Sequence, residues 1–287
     1  MAAIRKLYKD LFQIAAEKRL WMLPLGQIEG ETMWLVRSRE NSDHDDPKML
    51  IIAGFHGEEH AGPWAVLKWL KTCDSSIFRK VDLSFIPIVN PIGFKKNVRY
   101  SIPGEKNNQG FCHPEGANAC KVGEKRSREG EILYNHIDML LPLTKDGFLS
   151  LHEDKQSSGY YVYTFEKRQT AFTKGLKNTL GKYFSKPLDG LTTNGLTPDQ
   201  REIYVGETDT EVKNGWVNHG KLHDGSIEDF LFHANVPRIA VTETPQNWGK
   251  YRLQRRVTAN IAVIDKYIDF GVKAVRRQRR KELKNEN

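Results

Sequence analysis

Cysteine is scarce in this 287-residue sequence, which has three cysteines, at positions 73, 112 and 120, and no C-x-x-C pair. An odd number of scattered thiols argues against a disulfide framework and indicates a reducing compartment. Cys112 and Cys120 lie near His113, but the C-H-x6-C spacing fits no common structural zinc module. The thiols therefore predict neither disulfides nor a structural metal.

Long apolar segments are also missing. No run of about 18 apolar residues occurs, so we expect no transmembrane helix and no membrane partner. Charges are scattered through residues 1–20 and leave no apolar core for a secretory signal. The spacing of the apolar residues there predicts an amphipathic N-terminal helix over about residues 1–19. We therefore expect a cytoplasmic protein.

Acidic residues are outnumbered, with 36 Asp and Glu against 44 Lys and Arg, and the net charge is +8. Much of the excess lies in KAVRRQRRKELK over residues 273–284, which predicts a basic helical tail over about 273–287. A solvated helix end explains this charge, and contact with nucleic acid or a membrane surface is the alternative. Because the rest of the chain is only mildly basic, we expect no nucleic-acid partner.

Two signatures of other enzyme classes are absent. The sequence contains no Gly-rich phosphate loop and no G-x-S-x-G turn. These absences argue against a P-loop nucleotide hydrolase and against a serine hydrolase built on that turn.

The sequence does contain a regular alternation of apolar runs and helical patterns. A hairpin joined through Gly30 is followed by predicted strands at 48–55, 81–90, 146–153, 160–166 and 237–244. Helical patterns occupy 58–73, 128–141, 226–234 and 250–282, and irregular stretches occupy 91–123 and 186–218. This alternation predicts an α/β fold with a mostly parallel mixed sheet flanked by helices on both faces. We expect one domain over residues 1–287.

Polar residues stand where three of the buried strands end. His56, His152 and Glu243 each follow an apolar run directly. Ligands of such sheets bind at the carboxyl ends of the strands, so we expect these side chains to meet at one edge.

One group of these residues has the composition of a metal site. His56 and Glu59 form an H-x-x-E pair at a strand-to-helix turn, and His152 supplies a third donor. Two imidazoles and one carboxylate are a ligand set of catalytic zinc, with a fourth position left for water. His60, Glu153 and Asp154 lie beside these ligands, either as supports for the histidines or as part of a second metal site.

Several separated blocks resemble the zinc carboxypeptidase (M14) family. They are the H-x-x-E pair, the distal His152, the late Glu243, and Asn90-Pro91-Ile92-Gly93, which is similar to that family's N-P-D-G turn. They also include Arg99, Asn108, Phe111 and the pocket-like segment Gly225-Ser226-Ile227-Glu228-Asp229. The resemblance implies a carboxypeptidase-like three-layer sandwich and one Zn²⁺ held by His56, Glu59 and His152. It also implies that Glu243 and Arg99 are catalytic, and that Arg99, Asn108 and Gln109 bind substrate.

The chain departs from this family at two places. The family's N-R pair reads Asn108-Gln109, and an amide does not provide the charge with which arginine grips a carboxylate. Lys95, Lys96 and Lys106 are the nearby cations that could compensate for the missing arginine. The family's tyrosine before the catalytic glutamate has no match, and the candidates to replace it are Tyr204, His219 and His223.

The function predicted from these residues is zinc-dependent hydrolysis of an amide bond in a small peptide or an N-acyl amino acid. One alternative is a deacylase of the related succinylglutamate desuccinylase/aspartoacylase branch. That branch usually has a D-L-N-R segment, where this chain has Lys106-Asn107-Asn108-Gln109. The other alternative is an inactive binding protein on the same fold.

Overall fold

The protein is described by a computed structural model. The described residues are 2–40, 45–102, 105, 107–111, 126–192, 210–219, 225–247 and 249–285. The assignment of residues 1–287 to one domain stays a prediction.

One sheet of eight strands forms the centre of the molecule, in the order β1-β2-β4-β3-β5-β10-β6-β9. Its strands are β1 Trp21–Ile28, β2 Glu31–Arg37, β3 Lys48–Ala53, β4 Asp82–Ile86, β5 Gly147–Asp154, β6 Tyr161–Thr164, β9 Trp216–Asn218 and β10 Ile239–Pro245. The four central strands β4, β3, β5 and β10 are parallel, whereas β1, β2 and β6 introduce antiparallel pairs. The predicted fold class, a mostly parallel mixed α/β sheet, is confirmed.

Helices cover both faces of this sheet. They are α1 Ala2–Lys18, α2 Ala61–Thr72, α3 Pro91–Lys96, α4 Arg128–Asn135, α5 Ile137–Leu143, α6 Ala171–Leu180, α7 Ile227–His233 and α8 Leu253–Asn285. One core packs α1, α2, α6 and α8 against the sheet, and a second core packs α4, α5 and α7 against the opposite face. Alternate residues of β3 divide between the two, with Ile51 in the first core and Ile52 in the second, as the period of a strand requires. None of the described helices combines the length and apolar character needed to cross a bilayer.

Three segments differ from the sequence prediction. The stretch 91–123 was expected to be irregular, but it begins with α3, because Asn90 accepts a hydrogen bond from the Gly93 amide and Pro91 occupies the first helical position. The single helix expected over 128–141 is two helices, because the backbone of His136 leaves the helical region between α4 and α5. The stretch 186–218 contains β9 and a small sheet of β7 Gly190–Leu191 with β8 Glu211–Val212.

The strand order places the candidate site. β5 pairs with β3 on one side and with β10 on the other, and all three are parallel. Their carboxyl ends therefore meet at one edge, where the turn between β3 and α2 also begins.

Candidate metal centre

His56, Glu59 and His152 come together at this edge. Nδ1 of His56 lies 2.5 Å from Oε1 of Glu59, and Nδ1 of His152 lies 3.0 Å from Oε2 of the same carboxylate. All three side chains are buried, and one donor atom of each lies within 4.8 Å of the others. Two imidazole nitrogens thus face one carboxylate in a space closed to bulk solvent.

The turn that holds the first two of these residues depends on a close backbone approach. A Cβ atom on Gly57 would lie 2.0 Å from the carbonyl carbon of Gly93, a separation that no side chain tolerates. The Gly57 amide donates to the carbonyl of Arg99 at 3.1 Å. The turn is therefore pressed against the N-terminal end of α3 and the segment that follows it.

The electrostatics of the cluster favour metal-binding protonation states. Burial, together with the nearby positive charge of Arg99, lowers the pKa of His56 to about 4. Burial alone would raise the pKa of Glu59, but the two imidazoles outweigh it and hold that pKa below its ordinary value. At neutral pH the site therefore offers a neutral His56 and an ionised Glu59, the forms in which these groups bind a metal.

The donor set fits a metal ion. Two imidazole nitrogens and a carboxylate oxygen that converge in this way are the usual protein ligands of a catalytic metal site with an open position. Among the residues that the structure describes, these three form the group that meets the geometric requirements of a metal site.

Arg99 lies against this cluster. Its Nη1 is 3.0 Å from Oε1 of Glu59 and 3.4 Å from Oε1 of Glu58, and its Nε donates to the hydroxyl of Tyr100. The backbone carbonyl of Arg99 also accepts a hydrogen bond from Asn90 Nδ2 at 3.2 Å. Arg99 is thus held beside the cluster by contacts of both its side chain and its backbone.

Glu243 lies beside His152 on the adjacent strand. In the parallel pairing of β10 with β5, Glu243 is in register with His152, and on the other side it is in register with Tyr161 of β6. Its side chain is partly exposed. Burial, together with the charge of Asp154, raises the pKa of Tyr161 well above its ordinary value, and the Tyr161 hydroxyl donates to Asp154 at 2.9 Å.

Asn108 and Gln109, which are predicted to bind substrate, lie in a segment that is hydrogen-bonded to the start of α7 and the residues before it. The carbonyl of Asn108 accepts from the Ile227 amide, and the Phe111 amide donates to the Gly225 carbonyl, both at 2.9 Å. The side chains of Asn108 and Gln109 are partly exposed, whereas Asn107 is fully buried and donates to the Phe55 carbonyl at 2.8 Å. The two blocks that the sequence singled out, 108–111 and 225–229, are therefore neighbours in the fold.

The other candidates to replace the family's arginine and tyrosine are lysines, histidines and a tyrosine, several of which lie outside the described residues. Lys95 and Lys96 pair with Glu31 and Glu29 of the β1–β2 hairpin. His219 is buried, contacts the rings of Tyr163 and Phe165, and has its Nε2 3.5 Å from the Ser226 hydroxyl of the pocket-like segment. Lys106, Cys112, His113, Cys120, Tyr204 and His223 lie outside the described residues.

The acids beside His152 have partners of their own. Glu153 accepts from the Ala61 amide at 2.7 Å and pairs with Arg256. Asp154 accepts from the amides of Gln156 and Ser157 as well as from Tyr161. Burial raises the pKa of Glu153 to about 7, although Arg256 opposes this shift. These contacts favour a supporting role for both acids over a second metal site.

Some residues of the site were not singled out from the sequence. Glu58 and Tyr100 contact Arg99, and the Tyr100 ring meets His56 edge to face at 5.7 Å. Glu58 precedes Glu59 and Tyr100 follows Arg99 in the sequence, and this adjacency to predicted site residues is the signal that could have identified them. No comparable signal distinguishes Asn107 from Asn108, or marks Arg256 in a helix rich in arginine.

Comparisons with known proteins give a consistent result. A family model described as the succinylglutamate desuccinylase/aspartoacylase catalytic domain matches residues 45–173. A solved structure named as a "putative metallopeptidase" from Shewanella amazonensis SB2B is 34% identical, covers 93% of both chains and has a TM-score of 0.79. A protein of the same description from Shewanella denitrificans OS217 is 32% identical, with 94% of this chain and 91% of that chain covered and a TM-score of 0.76.

A more distant similarity shows the fold alone. A metallo-carboxypeptidase from Burkholderia cenocepacia is 16% identical, with 93% of this chain and 68% of that chain covered and a TM-score of 0.62. A search of curated protein sequences finds no match. The resemblance read from the sequence is confirmed, and this chain belongs to the same family as the Shewanella proteins that are named as metallopeptidases.

Proposed function

We propose that the protein is a zinc-dependent hydrolase that cleaves an amide bond in a small peptide or an N-acyl amino acid. The observation that carries this proposal is the buried cluster of His56, Glu59 and His152 at the carboxyl edge of the central strands. Its donors match catalytic zinc in kind and number. A bound zinc ion would polarise the scissile carbonyl and lower the pKa of a water molecule in the open position.

The residues around the cluster supply the other roles. Glu243, beside His152, takes a proton from the attacking water and later gives it to the leaving amine. Arg99, beside Glu59, donates to the oxygen on which negative charge develops. Asn108 and Gln109 hold one end of the substrate on the segment that pairs with α7.

The substrate end held by Gln109 is proposed to bind through neutral hydrogen bonds. Gln109 stands where the family grips a carboxylate with arginine, and an amide donates without charge. Lys95 and Lys96 are engaged with acids of the β1–β2 hairpin. A deacylase of the succinylglutamate desuccinylase/aspartoacylase type remains the alternative that the family match favours.

Metal content and amide hydrolysis test the proposal together. We expect about one zinc per chain by mass spectrometry in the purified protein, loss of that zinc in Glu59→Ala and His152→Ala, and retention of it in Glu243→Gln. His136→Ala is the matched histidine control, because His136 lies between α4 and α5, away from the cluster, and its loss should leave zinc in place.

Activity separates the remaining alternatives. With a panel of peptides and N-acyl amino acids, the wild type should release amine, and Glu243→Gln should lose activity by roughly the 10²–10⁴-fold typical of a general acid–base group. Zinc binding without turnover of any amide would favour the binding protein. A wild type that takes up no zinc, even when zinc is added back, would refute the proposed function.

A further inference from the structure

Helix α2 begins without a capping side chain of its own. Its N-cap residue, His60, makes no side-chain hydrogen bond to the helix end. The amide of Ala61, the first residue of α2, instead donates to Oε2 of Glu153 at 2.7 Å. The helix start is thus held by a carboxylate from a different part of the chain.

Glu153 joins the two halves of the metal cluster. It follows His152 on β5, whereas Ala61 follows the turn that holds His56 and Glu59. A hydrogen bond between Glu153 and Ala61 therefore sets the separation between the strand with one ligand and the turn with the other two.

Arg256 fixes the second oxygen of this carboxylate. Its Nη1 pairs with Oε1 of Glu153, and its Nε donates to the Tyr251 carbonyl at 3.1 Å. The side chain of Arg256 is 11% exposed and that of Glu153 is 0% exposed, so water does not replace either partner easily. Arg256 belongs to the first turn of α8, which packs against α2.

We propose that Arg256 is a positioning residue for the metal centre. Through Glu153 it holds the β3–α2 turn and strand β5 at the separation that lets His56, Glu59 and His152 bind one ion. The inference rests on the proposed zinc site and adds a residue of the last helix to it, outside the segment that the family model matches. Loss of a group that orients metal ligands typically lowers metal affinity by about 10–100-fold.

The chain offers a matched control at the other end of the same strands. Arg238 donates to the Asp146 carbonyl at 2.8 Å and lies 3.6 Å from Asp146 Oδ1, with side chains 23% and 15% exposed. Asp146 Oδ2 accepts from the Lys48 amide at 2.9 Å, so this pair ties the start of β5 to the start of β3. Like Glu153, Asp146 pairs with an arginine and accepts from a backbone amide of another strand or helix, but it lies at the opposite end of the strands from the metal cluster.

The experiment compares Arg256→Met with Arg238→Met in the full chain. Zinc dissociation constants are measured by competition with a chromogenic chelator, and unfolding temperatures are measured on the metal-free proteins. We expect both variants to lower the unfolding temperature, and Arg256→Met alone to weaken zinc binding by about 10–100-fold. Arg256→Lys, which keeps the charge but not the two-sided contact, should recover part of the affinity, and it replaces Arg256→Met if that variant does not fold.

The Co²⁺-substituted protein gives a second readout. Its visible absorption reports ligand geometry, and we expect it to change in Arg256→Met and to be unchanged in Arg238→Met. Equal zinc affinity in wild type, Arg256→Met and Arg256→Lys would overturn the inference while the proposed function stands. The same loss of affinity in both methionine variants would also overturn it, because the effect would then follow stability. A wild type that does not bind zinc would instead overturn the proposed function.

Discussion

Gly57 shows how one residue can set the geometry of a whole site. The backbone of the turn between β3 and α2 passes so close to Gly93 that a methyl group has no place. His56 precedes this glycine and Glu59 follows two residues later, so any movement that relieves a clash at Gly57 also displaces two of the proposed metal ligands.

The first prediction is that Gly57→Ala destabilises the protein and removes the metal. Because the added methyl group would meet backbone atoms, the free energy of unfolding should fall by at least about 3 kcal/mol, the upper part of the range for overpacking. Gly30→Ala is the control for backbone strain without crowding, since Gly30 has a φ of +80° and no atom within 4 Å of an added Cβ, and it should lose some stability but keep its zinc. Urea unfolding and zinc content check the pair. A Gly57→Ala protein with wild-type zinc content would show that the turn is more adaptable than its contacts indicate.

At the scale of elements, the short helix α3 links the central sheet to the candidate site. Asn90 ends the segment after β4, caps α3 through Gly93, and donates to the Arg99 carbonyl. Its Oδ1 also accepts from the Ser101 hydroxyl at 2.5 Å. One buried amide therefore holds both ends of the segment that leads to Arg99.

The second prediction concerns Asn90. Asn90→Ala should cost about 1–2 kcal/mol, as expected for loss of a helix cap, and should lower kcat because the Arg99 backbone loses a donor. Asn90→Asp is the sharper comparison, since a carboxylate keeps the cap on Gly93 but does not donate to Arg99. We expect Asn90→Asp to lose stability as well, because its carboxylate is buried and faces the Arg99 carbonyl, and to show the same fall in kcat. Wild-type kcat in both variants would contradict the role given to this segment.

Much of this architecture can be predicted from single elements. His56 follows strand β3 by three residues, and His152 and Glu243 lie two residues before the ends of β5 and β10. The apolar runs in these strands are conspicuous because the strands are buried on both faces. Convergence at one sheet edge follows from parallel pairing, so the metal cluster also follows from the sequence.

The contacts that could not be predicted depend on tertiary structure. Asn107 and Asn108 are chemically identical neighbours, and only the folded loop decides that Asn107 is buried against Phe55. Arg256 and Glu153 are 103 positions apart, so no local pattern connects them. The break at His136 and the helix at Pro91 are different, because they involve local contacts, between His136 and Ile132 and between Gly93 and Asn90.

At the scale of the whole molecule, three tyrosines, two buried and one partly buried, couple folding to alkaline pH. Burial raises the pKa of Tyr8, Tyr161 and Tyr267 above the ordinary value of 10.0. Their hydroxyls donate to Thr32, Asp154 and Arg238 respectively. In the unfolded chain the same phenols ionise near pH 10, whereas in the folded protein they keep their protons.

The third prediction follows from the sign of these shifts. A folded pKa above the unfolded pKa contributes stability that is present below pH 10 and is lost as the pH rises further. The slope is about 1.4 kcal/mol per pH unit for each phenol, or about 4 kcal/mol for the three. Urea unfolding between pH 9 and 11 measures the slope, and Tyr8→Phe should remove roughly a third of the part that these three phenols contribute. An equal slope in wild type and Tyr8→Phe would exclude Tyr8 from the effect.

The order of the strands also determines when the site can assemble during synthesis. Leu149 of β5 pairs with Ile51 on one side and Leu151 pairs with Thr242 on the other, so the centre of the sheet is built from distant parts of the chain. Closing such long loops is entropically costly and makes folding slow. A chain that has left the ribosome only as far as β5 already contains all three proposed metal ligands, but it lacks Glu243 and Arg256. The nascent protein would therefore acquire its metal-binding residues well before the groups that order and use them.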